Sequence, residues 1–298
     1  MSRFQDLTLA TTVHNNPRMS ADMLQSFETN LGTVDKIVIV DDGSSQPCPL
    51  PPVSSGVRLI RIEPAHGFCH ASDIALRAVS TKYALLVDAD VLFEPGDFAG
   101  GYAEFQKGNW AWANFLQSNF QGIPQAAYEQ PLMPPWIFAA GNQVLTLWEK
   151  FQRAPAPAPG ERIAEVEAAH SSCTLVNMEA FHAVGGFDRW YWQCQSEIDL
   201  CLRLRKGGHR VGIDFGYRVK HDGAGGKTGG AARVLDLYRS RLRLYERFFP
   251  SSRLYLRPLL FVRHLFEVLW LGLVALWKKE PRLQLRLEML KGVLKGYH

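Results

Sequence analysis

Short apolar runs recur through the first ninety residues, and each gives way to a polar turn. Leu7–Val13, Lys36–Val40 and Val57–Ile62 read as strands, and a fourth run from Tyr83 enters Asp88-Ala89-Asp90 directly. An apolar run without alternation fits a strand covered on both faces. Between the strands the period changes. Met23, Leu24, Phe27 and Leu31 lie at helical spacing behind Ser20, which predicts a helix to Asn30 with Ser20 as its cap. A second helix is predicted over Ser72–Ser80. Further along, Cys173–Asn177 reads as a strand and Met178–Val184 as a short helix stopped by Gly185-Gly186. Glu197–Lys206 is predicted helical and Arg210–Phe215 a last strand, with mostly helix from Arg233 on. Strands alternating with helices imply an α/β fold around a largely parallel sheet. The pattern blurs over Phe98–Trp148, which is rich in aromatic residues and broken by Pro131, Pro134 and Pro135. The proline-rich stretch Arg153–Gly160 fits either a loop at the mouth of a site or a linker between domains.

Candidate chemistry sits where strands end. Open α/β sheets bind ligands at the carboxyl ends of their strands. Asp88 and Asp90 stand there, two residues apart, and converge on one cation if the backbone stays extended. Hard divalent ions take such oxygen ligands. The plain alternative is a strand end followed by a turn. Asp41-Asp42-Gly43-Ser44 closes the second strand in the same way, and Thr12 and His14 close the first.

The order of these motifs adds to each alone. Asp41-Asp42, Asp88-Ala89-Asp90, Gly185-Gly186-Phe187-Asp188, Glu197-Ile198-Asp199-Leu200 and then His221 resembles the inverting family-two glycosyltransferases of the GT-A fold, over residues 7 to 228. The resemblance implies a GT-A catalytic domain over residues 1–230. Its nucleotide-binding half is about 1–95, its acceptor half about 96–230, and residues 231–298 form a helical extension. It implies Mg²⁺ or Mn²⁺ held by Asp88, Asp90 and His221. It implies a TDP-, UDP- or GDP-linked sugar contacted by Thr12, His14, Asp41, Asp42, Gly67, Asp73, Asp88 and Ala89, and Glu197 as the general base. Gly225-Gly226-Lys227-Thr228 fails as a phosphate-binding P-loop because the first glycine of that motif is replaced by His221. Lys227 fits better as a cation closing over the diphosphate. Two positions depart from the family pattern. Ser196-Glu197 stands where Glu-Asp is usual, and Asp73 where Asn is common. Those departures keep open a silent relative that binds a nucleotide sugar or glycan without turnover. The Gln-x-x-Arg-Trp sequence of processive synthases does not occur, so transfer of a single sugar is expected.

Charge changes the picture of the C-terminal part. The chain of 298 residues carries a net +4, yet Arg233–His298 holds 14 Lys and Arg against 5 Asp and Glu, a net +9. Leu259–Trp277 is apolar except for Arg263, His264 and Glu267, which fall on one helical face. This suits a helix lying in an anionic membrane interface. It suits equally a helix packed on the catalytic domain or forming a homodimer. The tail resembles that of bacterial rhamnosyltransferase-like members, which implies a glycan or lipid-linked acceptor in cell-surface polysaccharide synthesis. No nucleic-acid-binding motif accompanies the charge. Met1–Gln5 begins no long apolar stretch, and the five cysteines form no Cys-x-x-Cys pair. A cytoplasmic protein with reduced thiols, peripheral on the membrane's inner face, is the expectation.

Overall fold

The computed structural model describes residues 2–49, 53–129, 132–141, 144, 155–222 and 230–295. The chain divides into two compact units, residues 1–131 with 154–226, and residues 132–153 with 227–298.

The first unit is built on a ten-stranded sheet. Its strands are β1 (Ser2–Val13), β2 (Gly32–Asp42), β3 (Gly56–Ile62), β4 (Tyr83–Asp88), β5 (Val91–Leu92), β6 (Trp110–Ser118), β7 (Pro124–Gln125), β9 (Ile163–Glu165), β11 (Cys173–Asn177) and β12 (Arg210–His221). A separate two-stranded sheet pairs β8 (Tyr128–Glu129) with β10 (Ala168–Ala169). The large sheet runs β3-β2-β1-β4-β11-β6-β12-β5. Pairing is parallel from β3 through β4, as the apolar runs predict, and the residues of β4 up to Val87 are buried. The second half is mixed. β11 is antiparallel to both β4 and β6, whereas β12 is parallel to β6.

Helices α1 (Pro17–Asn30), α2 (Phe68–Arg77), α3 (Phe98–Lys107), α5 (Met178–Ala183) and α6 (Ser196–Lys206) accompany this sheet, and α4 (Pro135–Ala140) belongs to the second unit. Several boundaries move from those the sequence suggests. α1 starts at Pro17, not behind Ser20, because proline at the first helical position has no N–H to leave unsatisfied. Ser20 instead donates its hydroxyl to the Pro17 carbonyl at 2.9 Å. α2 starts at Phe68, where Gly67 adopts φ +85°, and ends at Arg77 rather than Ser80. The last strand extends to His221. Its ladder with β6 is interrupted between Asp214 and Arg218, and Asp214 holds that irregularity by accepting from Gly216 N–H at 2.6 Å and Arg162 Nε at 3.0 Å. The core between β1, β2 and α1 is aromatic, with Phe27 edge-on to Phe93 at 5.1 Å and to Phe98 at 5.7 Å.

The second unit contains α4 and three longer helices, α7 (Gly230–Phe248), α8 (Leu256–Ala275) and α9 (Arg282–Lys295). Its core gathers Tyr238, Leu242, Tyr245, Leu256, Leu260 and Met289. Residues 132–140, expected in the acceptor half of the catalytic domain, group with this unit instead. The physical cause is aromatic packing, with Phe138 centred 4.8 Å from Tyr238 and 5.6 Å from Tyr245. Tyr245 also donates its hydroxyl to the Met133 carbonyl at 2.8 Å.

Candidate active site

Strand direction brings the candidate residues to one edge of the sheet. In register, Thr12 faces Asp88 and Val13 faces Asp41. The backbone does not stay extended through Asp88-Ala89-Asp90. It turns at residues 89–90, and β5 then pairs antiparallel with the end of β12, setting His221 opposite Val91. Asp222 N–H closes that corner on the Asp90 carbonyl at 3.2 Å. The carboxylates therefore meet the histidine through strand pairing, not through alternation along one strand.

The result is a compact cluster. One ligand atom from each of Asp88, Asp90 and His221 lies within 4.8 Å of the others. His221 Nε2 is 3.3 Å from Asp90 Oδ1 and 3.7 Å from Asp88 Oδ2. Its Nδ1 lies 3.1 Å from Gln117 Oε1, and the Gln117 amide in turn donates to the Ser172 hydroxyl. Such an outer partner fixes the imidazole tautomer and leaves Nε2 as the ligand. Burial pushes the Asp88 carboxyl up to about 7; His221 opposes this, while the charges of Asp90 and Glu197 add to it. Burial works to lower the His221 pKa, but the Asp90 hydrogen bond and the charges of Asp88 and Asp90 outweigh it, so the net shift is upward. Two carboxylates and an imidazole suit Mg²⁺ or Mn²⁺, the choice depending on geometry and supply.

Glu197 lies in the first turn of α6 behind Gln195, which is left-handed at φ +65°. Burial raises its pKa, with His170 opposing and Glu129 adding to the rise, and its Oε2 lies 3.3 Å from the Ser196 hydroxyl. Asp199 braces the same helix: it is buried and accepts from Arg203 Nε at 2.6 Å. Gln117, Ser172, His170 and Glu129 carry no sequence signal of their own.

The other predicted positions hold loops. Asp41 is buried and accepts from Ser44 N–H and Cys48 N–H at 3.0 Å and from Arg61 Nη1 at 2.6 Å. Burial alone would raise its pKa, but these donors bring it below the usual carboxylate value. Asp42 accepts from His66 N–H at 2.7 Å and Gly67 N–H at 2.9 Å, and its carbonyl is 2.6 Å from His14 Nδ1. Gly67 is required by close approach as well as by φ, since a Cβ there would lie 2.6 Å from the Trp192 carbonyl oxygen. Asp73 differs from its expected donor-facing position. It is 0% exposed and accepts from Phe187 N–H at 3.1 Å and from Arg77 Nε and Arg189 Nε at 2.8 Å. The charge that replaces the common Asn thus ties α2 to the Gly185–Arg189 turn. Ala89 sits in the turn between the two metal-ligand candidates. Lys227 lies outside the described residues.

Comparison with known proteins bears on the fold. Residues 8–151 match the profile of the family described as Glycosyl transferase family 2. No curated protein matches the sequence. Among solved structures, the mannosyltransferase PcManGT from Pyrobaculum calidifontis, in complex with GDP-Man and Mn²⁺, aligns over 98% of this chain and 76% of its own, at 14% identity and a TM-score of 0.56. GalNAc-T7 with UDP, GalNAc and Mn²⁺ aligns over 72% of this chain at 15% identity and a TM-score of 0.56, although the alignment spans only 42% of that protein's length. TarS 1-349 from S. aureus aligns over 83% of this chain and 73% of its own at 10% identity, with a TM-score of 0.50. The fold is that of the GT-A glycosyltransferases. Within that class, residues 8–151, just under half of the chain, are similar to glycosyl transferase family 2.

Proposed function

We propose that the protein is a metal-dependent, inverting glycosyltransferase that moves one sugar from a nucleotide-diphosphate donor to a hydroxyl of a glycan or glycolipid. The observation that carries this reading is the Asp88–Asp90–His221 cluster, with Glu197 near enough to bear on the titration of Asp88. Solved neighbours of the same fold hold UDP or GDP-Man together with Mn²⁺.

In this reading Asp88, Asp90 and His221 Nε2 would hold Mg²⁺ or Mn²⁺, with Gln117 fixing the imidazole. A metal held there would supply positive charge that favours departure of the diphosphate. Asp42 holds the turn at His66-Gly67, Asp41 holds the loop through Cys48, and with Thr12 and His14 they form the nucleotide end of the site. Glu197 accepts the proton of the acceptor hydroxyl. That oxygen bonds to the anomeric carbon from the face opposite the phosphate, and the nucleoside diphosphate leaves with the bonding electron pair. A buried carboxylate with a raised pKa is the stronger base, which suits this role. The extra methylene of Glu197 relative to Asp changes its reach and is compatible with proton abstraction. The resemblance of the tail favours lipid-linked acceptors of cell-surface polysaccharide, met from the cytoplasm.

The test is a panel of TDP-, UDP- and GDP-sugars screened by thermal shift with Mn²⁺, because a ligand that binds only the native state raises stability. Stabilisation by one donor, dependent on metal and lost with chelator, is the expected result. Anomeric analysis of the product should then show inversion. Full turnover in excess chelator would reject the metal site, and a retained anomer would reject the role of Glu197.

A further inference from the structure

The second unit presents its longest apolar helix inside out. The polar residues of α8 are turned into the unit. His264 is 0% exposed, 2.5 Å from the Tyr238 hydroxyl through Nε2 and 3.0 Å from Glu267 through Nδ1. Glu267 also receives Arg263 Nε and Arg286 Nε at 3.1 Å. Arg263 Nη1 reaches the Phe138 carbonyl at 3.1 Å. The other side of the helix carries Leu259, Val262, Phe266, Leu269, Trp270 and Leu273, at spacings of one, three and four residues, and all are exposed, Phe266 to 69% and Trp270 to 59%. Trp277, just beyond the helix, is 90% exposed. More than half of the exposed large apolar side chains among the described residues lie on this helix and its last turn. An open groove lined only by Val268, Leu269, Gly272, Leu273, Leu283 and Leu287 continues the stripe onto α9. Contiguous exposed apolar surface of this kind marks an interaction site.

We infer that this stripe docks in the plane of an anionic lipid bilayer leaflet, with the α8–α9 groove receiving acyl chains. Charge selects the occupant. The segment from Arg233 carries a net +9, and Lys278 and Lys279 are exposed at the C-terminal end of the stripe, where Arg282 is paired with Glu280. A second copy of the chain would bring two such segments together, whereas acidic headgroups complement them. Exposed tryptophan beside cationic residues is the composition of a membrane interface. α8 is long and apolar enough to cross a membrane. Crossing would carry Arg263, His264 and Glu267 out of their ion pairs into hydrocarbon, which is costly. Lying in the plane leaves those pairs intact.

The experiment is vesicle flotation of the full chain with phosphatidylcholine alone and with phosphatidylcholine containing 30% phosphatidylglycerol, a fraction on the order of a natural anionic leaflet. Binding is expected to be at least about tenfold stronger to the anionic vesicles and to be released by alkaline carbonate. The double variant Phe266→Asp/Trp270→Asp should lose it. Lys278→Gln/Lys279→Gln should weaken it about 25-fold, at roughly fivefold per basic residue. All four side chains are exposed, so both variants should keep the wild-type melting curve. Equal binding to neutral vesicles, unchanged binding by either double variant, or resistance to carbonate would overturn the inference. So would a lipid-free dimer, seen by light scattering, that Phe266→Asp/Trp270→Asp converts to monomer, since the stripe would then be a seam between copies.

Discussion

Replacing Asp73 tests whether its charge serves the fold or the donor. The carboxylate is fully buried and joins three donors from two segments distant in sequence: Arg77 on α2, and Phe187 N–H and Arg189 in the turn after α5. Arg77 also donates Nη2 to the Gly185 carbonyl at 2.7 Å, so one arginine holds both sides of the junction. Asp73→Ala leaves the buried Phe187 N–H without its acceptor, a cost of about 1–3 kcal/mol. It also removes two ion pairs. Those arginines are nearly half exposed and regain water, so each pair adds no more than ~1 kcal/mol. The total is about 3 kcal/mol. For a unit of this size that corresponds to a Tm roughly 6–12 °C lower, at about 2–4 °C per kcal/mol. Asp73→Asn keeps an acceptor for Phe187 N–H while losing the charge, and should cost about 1–2 kcal/mol. The assay is thermal and urea unfolding of both variants, with donor affinity measured well below Tm. The reasoning fails if Asp73→Ala melts within ~1 °C of the wild type. It fails also if Asp73→Asn keeps the wild-type Tm but loses the donor, because the carboxylate would then belong to the nucleotide site.

Asp90→Asn should weaken Mn²⁺ binding at least about tenfold in a calorimetric titration of the protein without donor, with its melting curve preserved; affinity equal to wild type would remove Asp90 from the metal site. Glu197→Gln should keep donor affinity and lower transfer by at least ~10²-fold, the usual scale of general-base catalysis, and undiminished transfer would exclude that role. Glu267 governs acid stability of the second unit. Burial favours its neutral form, but His264, Arg263 and Arg286 outweigh this and bring its pKa down from 4.5 to about 2. A depressed folded pKa contributes stability that is present above the unfolded value and lost as pH falls from 4.5 towards 2. The shift corresponds to about 3 kcal/mol. Glu267→Gln should therefore be destabilised by up to that amount at pH 7 in urea unfolding, and the gap from wild type should narrow below pH 4.5. A gap independent of pH would refute this account.

Much of the fold's first half is legible in the sequence because β1, β2 and β4 are buried over their apolar runs and helices lie between the strands. Leu7–Val13, Lys36–Val40 and the run from Tyr83 are largely apolar for that reason, and the carboxylates that follow them must then fall at the sheet's edge. The sequence therefore places Asp88 and Asp90 at a strand end and makes the C-terminal segment basic. It does not determine how Asp90 reaches His221. That depends on a two-residue strand pairing with residues more than 120 positions later, and β5 is too short to leave a periodic signal. Gln117 and Ser172 enter the site in the same way, through neighbouring strands in a mixed sheet whose order local pattern does not encode. The charge at Asp73 looks like a site feature in one dimension and becomes a brace only when Arg189 folds against α2. For α8 the sequence reveals two faces but not which one turns inward. Tertiary packing decides that: Glu267 gathers Arg263, His264 and Arg286, and their mutual neutralisation lets the polar side be buried while the apolar side stays outside.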